Sequence, residues 1–348
     1  MKILVRATNW VGDAILALPA LRALRGKWPE AEISVLARPY VAEIYRGQQV
    51  ADRLLPYDVR GEHRGWRGRE RLVEELRGQR FDLAVLFQNA FDAAWLAWRA
   101  GIPARVGYAR DGRSLLLTRA IAVPRRGEIP AHEQFYYLEL LRRAGWLDAL
   151  KGEEHIPLAV SDAQHRQAAE ALRKAGARPQ ALRVAIGAGA SYGSAKCWPP
   201  ARFAALAGAL QAQFDCEVLL FGTASEARVS QAIVAEMKRP PLNLTGQTAI
   251  ADLPALLAQC HLFIGNDSGA MHVAAAVGLP VVAVFGPTDP QGTAPVTPRC
   301  TVVQEKPHCS PCFLRRCPID HRCMTRIAPE TVAAAARSWL EARRASHA

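Results

Sequence analysis

"HLFIGNDSGAMHVAAAVGLPVVAVFGPTDP", residues 261–290, decides the fold. An apolar run, "HLFIGND", reads as a strand that closes on Asn-Asp-Ser-Gly. "SGAMHVAAAVG" follows as a helix of small and apolar residues, and "PVVAVFG" reads as a second strand. Two short, almost wholly apolar strands joined by a helix form a βαβ unit. Such strands belong to a parallel sheet covered on both faces.

The same alternation extends outward on both sides. Upstream lie the strand "RVAIGAG" (183–189) and the helix "PPARFAALAGALQAQF" (199–214), which opens on proline. "CEVLLFG", "ASEARVSQAIVAEM", "LNLTG" and "IADLPALLAQC" continue the pattern. The first half alternates too: "KILVRA", a helix from Asp13 to about Lys27, "EISVLA" (32–37), the helix "RERLVEELRGQR", "FDLAVLF" (81–87) and the helix "HEQFYYLELLRRAGW" (132–146). A final helix covers 329–344. With 348 residues the chain is about twice the length usual for one domain. The expected fold is therefore α/β, two doubly wound domains facing a central cleft. Their expected extents are 1–155 and 156–328, with 329–348 as a closing helix.

The chain carries 44 Lys and Arg against 32 Asp and Glu, a formal net charge of +12. A basic chain suits anionic partners: nucleic acid, anionic lipid or a phosphorylated ligand. The sequence opens on a strand, without the basic and apolar regions of a secretory leader. Its longest apolar stretches, "AAWLAW" and "VAAAVGLPVVAVF", are too short or too interrupted to span a bilayer. A cytoplasmic protein is expected, with attachment to a membrane face left open.

Ligands of doubly wound domains gather at the carboxyl ends of the strands. In the opening stretch, Ser268 and Gly269 start a helix, whose first free N–H groups suit an anion. "FGPTDP", with Thr288, ends the next strand. Two such neighbouring loops make a diphosphate site. Asp267 would repel phosphate and is better used on a hydroxyl, while His272, one turn into the helix, reads equally as a core residue or a ligand contact. "GAGASYGSAKCWPPARF" (187–203) sets Ser191 and Lys196 among small residues, and lysine is a point charge suited to phosphate. Glu226, after a third strand, could bridge ribose hydroxyls or serve its own helix start. Neither GxGxxG after the first strand nor GxxxxGK[ST] is present, which disfavours a dinucleotide oxidoreductase and an ordinary ATPase.

"HCSPCFLRRCPIDHRC" (308–323) brings together Cys309, Cys312, Cys317 and Cys323, with His308 and His321. Cys-x2-Cys is metal-ligand spacing without a matching second pair, so a structural zinc, an iron–sulfur centre and a reduced loop all fit. Arginines crowd 59–71 and 105–119, among them Arg60, Arg64, Arg105 and Arg113, and could flank a phosphorylated acceptor.

"TNWVGDAILALPAL" (8–21), "GASYGSAKCWP" (189–199), "GNDSGAMHVAAAVGLPVVAVFGPTDP" (265–290) and the Cys-rich tail together resemble the bacterial lipopolysaccharide heptosyltransferases over nearly the whole chain. "SPCF" favours the type II members over type I. The resemblance implies the GT-B architecture, with the acceptor bound by the first domain, the nucleotide sugar by the second, and the final helix returning to the first. It implies transfer of L-glycero-D-manno-heptose from ADP-heptose to the heptose-I of a lipid A–inner core, with inversion, at the cytoplasmic face of the inner membrane. Asp13 matches the family's catalytic base. Lys196, Glu226, Asp267, Ser268 and Gly269 match its nucleotide contacts. Ser191 stands where relatives can carry threonine. Gly12 would let a sugar approach beside Asp13. No catalytic cofactor or metal is implied, and no nucleic-acid partner. Heptosyltransferases I and III, another GT-B enzyme such as an epimerase, and a zinc-containing nucleic-acid-binding protein are the competing readings.

Overall fold

The computed structural model describes residues 1–345. The chain divides into two compact units, Met1–Glu153 and Glu154–Ala348, close to the expected boundary. Each unit is built on one six-stranded parallel sheet.

In the first unit the strands are β1 (Lys2–Arg6), β2 (Glu32–Ala37), β3 (Arg53–Pro56), β4 (Leu83–Leu86), β5 (Ala104–Tyr108) and β6 (Arg119–Ile121). They lie in the order β3-β2-β1-β4-β5-β6. The second unit has β7 (Arg183–Gly187), β8 (Glu217–Phe221), β9 (Leu242–Asn243), β10 (Leu262–Asn266), β11 (Val281–Phe285) and β12 (Cys300–Gln304), in the order β12-β11-β10-β7-β8-β9. Read from its other edge, the second sheet repeats the first. Both are the doubly wound order in which strand succession reverses beside the first strand of the unit. That reversal opens a crevice at the ends of β1 and β4 in one unit, and of β7 and β10 in the other.

Every residue of β4, β10 and β11 is buried, as expected where helices cover both faces. The second core joins Ile186, Trp198, Phe203, Leu220, Ile264 and Val284. Close approach of β7 and β10 depends on glycine. A Cβ on Gly265 would meet the Gly187 carbonyl oxygen at 2.6 Å.

Two expectations change. The first helix is broken: Val11–Leu16 and Leu18–Lys27 are separate, with Pro19 at the start of the second. The final helix, Pro329–Ala345, was expected to return to the first unit, yet it packs within the second. Its Val332, Ala336 and Leu340 are buried in the same core as Ile264 and Val282. An apolar stripe on a helix marks the face that is covered but not the sheet that covers it, and the two sheets offer the same kind of surface. Among the described residues no helix is long and apolar enough to cross a membrane.

Candidate functional site

The second unit gathers its candidate residues at the β7/β10 crevice. Asp267, on the residue after β10, is buried. Its Oδ2 accepts hydrogen bonds from Lys196 Nζ at 2.5 Å and from Thr288 Oγ1 at 2.7 Å. Three chain segments that the sequence separates by up to 92 positions thus meet at one carboxylate oxygen: the loop after β7, the end of β10 and the turn after β11. Lys196 and Asp267 were read as independent contacts, one for phosphate and one for a hydroxyl. In the structure each is the other's partner, which holds the ammonium in place and offsets the cost of burying the carboxylate.

Ser268 is the N-cap of the helix Gly269–Ala276 and makes no side-chain cap hydrogen bond, so its hydroxyl is not committed to the helix start. His272 lies buried one turn further on. Glu226 plays the helix-start role and holds a site position at once. Its Oε2 accepts from the Thr223 backbone N–H at 2.7 Å and from the Thr223 hydroxyl at 3.0 Å. Its Oε1 occupies the space that a side chain on Gly189 would need, 1.9 Å from an added Cβ. The carboxylate therefore sits between the ends of β7 and β8. Ser191 is exposed in the loop between β7 and Lys196.

Asn266 was missed in the sequence. It is fully buried. Its Oδ1 accepts from the Trp198 backbone N–H at 3.0 Å, and its Nδ2 donates to the Ala188 carbonyl at 2.6 Å. One amide thereby clamps both ends of the loop that carries Ser191 and Lys196. An asparagine at a strand end looks like a turn residue, and only its distant partners give it this role.

In the first unit, Asp13 occupies the third position of the helix Val11–Leu16, whose N-cap is Trp10. It is a first-turn acid and not the cap. It lies half-buried near two buried phenols, Tyr45 and Tyr137, which are pushed up from their ordinary value by burial first, with the Asp13 charge adding to the shift. Gly12, expected to offer its backbone to a sugar, is buried inside this turn.

The arginines divide into two groups. Arg60 and Arg64 are exposed in the segment that leaves the carboxyl end of β3, where a ligand contact is feasible. Arg113 and Arg105 are corrections. Arg113 is fully buried, donating to the carbonyls of Tyr108 (3.0 Å) and Gln88 and to Asn89 Oδ1 (3.0 Å), and burial lowers its guanidinium to about 10. Arg105, at the opposite end of β5 from the crevice, donates to the carbonyls of Leu116 and Ile102. Both hold loops. Local arginine density gives no information on which guanidinium is buried. Asn9 and Asn89, just beyond the ends of β1 and β4, and Tyr136, in the helix Glu133–Arg143, were not singled out in the sequence; Arg110, one of the crowded arginines of 105–119, joins them. Tyr136 Oη accepts from Asn89 Nδ2 at 3.0 Å and from Arg110 Nη1 at 3.3 Å.

The Cys-rich segment is folded against the turn after β11 in its own unit. The backbone N–H groups of Cys312 and Phe313 both donate to the Pro287 carbonyl, and Ser310 Oγ donates to that of Gly286. All four thiols are free; Cys309 is exposed and Cys323 is buried, with its thiol pushed up to about 11 by burial first and by the neighbouring thiols next. Among the described residues, no three His, Cys, Asp or Glu side chains are grouped as around a metal ion. Hydrogen bonds to the 286–287 turn shape the segment.

Residues 69–322 match glycosyltransferase family 9 (heptosyltransferase). The chain is 30% identical over 310 residues to lipopolysaccharide heptosyltransferase 2 of Salmonella typhimurium, covering 87% of this chain and 88% of that one. It is 31% identical over 321 residues to lipooligosaccharide heptosyltransferase 2 of Haemophilus influenzae, with the same coverage. Among solved structures, E. coli ADP-heptose lps heptosyltransferase II superposes with a TM-score of 0.82 at 27% identity, covering 99% of this chain and all of that one. The two six-stranded parallel sheets are those of the GT-B architecture. A lysine–aspartate–threonine cluster at one switch point, an aspartate in the first turn at the other, and this match across most of the chain lead to one assignment: the chain is a glycosyltransferase and belongs to family 9, the heptosyltransferases.

Proposed function

We propose that the protein is an inverting heptosyltransferase of type II, moving L-glycero-D-manno-heptose from ADP-heptose to the first heptose of a lipid A–inner core. The observation that carries this reading is the Lys196–Asp267–Thr288 cluster at the carboxyl ends of β7, β10 and β11, beside the open helix start at Ser268 and Gly269. The type II assignment draws further support from the relatives that carry that name.

Inversion calls for attack on the anomeric carbon from the face opposite the departing ADP. The acceptor hydroxyl must lose its proton as the new bond forms, and the diphosphate must accept the electron pair of the broken one. Asp13 takes that proton. Lys196 and the N–H groups at Ser268 and Gly269 meet the charge that grows on the diphosphate. Asp267 orients Lys196, and Thr288 orients Asp267. Glu226 is suited to ribose hydroxyls, and Ser191 lies where a phosphate oxygen could accept its hydroxyl. Arg60 and Arg64 remain for the acceptor's anionic groups. The chemistry needs no cofactor, and the acceptor places the reaction at the cytoplasmic face of the inner membrane.

The test incubates the protein with ADP-heptose and truncated lipopolysaccharides that carry no heptose or one. ADP release and heptose incorporation on the one-heptose acceptor alone are the expected result. Transfer to the heptose-free acceptor alone would reassign the type, and no transfer to either would defeat the reading.

A further inference from the structure

We infer that Arg315, in the Cys-rich segment, is a second cationic contact for the donor diphosphate. The inference rests on the donor site proposed above. It starts from a charge balance: Lys196 is already paired with the buried Asp267, so that pair brings no net positive charge to an incoming dianion. Another cation is needed, and one stands at the same loop. The Tyr192 ring has Lys196 Nζ 4.8 Å from its centroid and the Arg315 guanidinium carbon 5.2 Å from it. With Lys196 neutralised by Asp267, Arg315, which shares that ring and makes no ion pair among the described residues, is the cation left to meet an anion there.

Arg315 is held there by its backbone. Its carbonyl accepts from the Ala195 N–H at 3.1 Å, one residue before Lys196. It also lies against Gly193, where an added Cβ would come within 2.3 Å of that carbonyl oxygen. Tyr192 Oη donates to the Phe313 carbonyl at 2.6 Å, and His321 Nε2 is 2.6 Å from the Ala195 carbonyl. Four ties thus join the Cys-rich segment to the loop 191–197, while the Arg315 side chain remains exposed. A planar guanidinium on a fixed backbone suits two phosphate oxygens at once. The segment, whose cysteines fitted either a metal site or a reduced loop in the sequence, delivers an arginine to this loop.

The test is calorimetric titration of ADP and of adenosine into the wild type, Arg315→Ala, Arg315→Gln, Lys196→Ala and, as a control, Arg316→Ala on the neighbouring exposed arginine. Thermal midpoints check that each variant is folded. Loss of a charge-assisted phosphate contact at an exposed site is expected to weaken ADP about tenfold in both Arg315 variants, leaving adenosine and Arg316→Ala unchanged. If both Arg315 variants bind ADP within about twofold of wild type while Lys196→Ala weakens it, the inference is overturned and the donor site stands. If the wild type does not bind ADP, or Lys196→Ala changes nothing, the donor-site reading fails and takes the inference with it.

Discussion

The two units share one strand order and equip the same crevice in opposite ways. At the end of β10 the second unit buries an ion pair and a hydroxyl around one carboxylate, with Asn266 clamping the loop that supplies the lysine. At the ends of β1 and β4 the first unit spends its buried cations on the scaffold. Arg6, lowered to about 10 by burial and then by Arg38, donates to Asn9 Oδ1 and to the Leu36 carbonyl. Arg113 holds Gln88 and Asn89 in place. One topology can thus hold buried charge in an ion pair at the crevice or spend it on the backbone carbonyls of its own framework, and the hydrogen-bond partners tell the two apart.

The largest effect is expected at Asp13, the base proposed for the first unit. Asp13→Asn should lower kcat by about 10²–10⁴-fold, with ADP affinity unchanged, in steady-state transfer assays and titration. Near-normal turnover would remove the catalytic half of the contrast. Next comes the buried pair of the second unit. Lys196→Ala leaves Asp267 with only Thr288, and a stability loss of about 3 kcal/mol is expected by denaturant titration. A smaller loss, about 2 kcal/mol, is expected for Arg113→Leu, which strips partners from two carbonyls and the Asn89 amide oxygen. Arg60→Ala, in contrast, should stay within about 0.5 kcal/mol of wild type and weaken only acceptor binding. If Arg113→Leu were as mild as Arg60→Ala, the division between scaffold and ligand arginines would collapse.

The smallest effect is a pH dependence. Glu139 is buried, and Arg142 first, then Arg143, holds its carboxyl below the ordinary 4.5. A depressed folded-state value contributes stability above the unfolded value, and that contribution is lost as pH falls through the folded one. Midpoints measured from pH 6 downward should therefore fall less steeply below about pH 4.5 in Glu139→Gln than in the wild type. Equal slopes would show that the pair adds nothing.

What could be read in the sequence was whatever repeats along it. Apolar runs such as 281–285, bounded by Gly and Pro, announce buried parallel strands because each short segment carries its own pattern. The position of Asp267, Lys196, Thr288 and Glu226 at the carboxyl ends of the strands was legible because small residues at strand ends mark the loops that follow them. Asn266 was not, since its meaning lies in backbone groups 68 and 78 positions away. Nor was the fate of Arg113, whose neighbours in sequence are as basic as those of Arg60. Pro19 in the opening motif was visible, but its effect was not: the helix breaks ahead of it and leaves Asp13 on a short turn of its own.

The placement of the last helix has a consequence for how the chain is made. The first unit is complete once Glu153 has emerged, so it can fold while the rest is being synthesised. The second sheet is finished at Gln304, but its core still lacks Val332, Ala336 and Leu340. Until those residues leave the ribosome, one apolar face of β10 and β11 waits partly uncovered, so the second unit matures after the first.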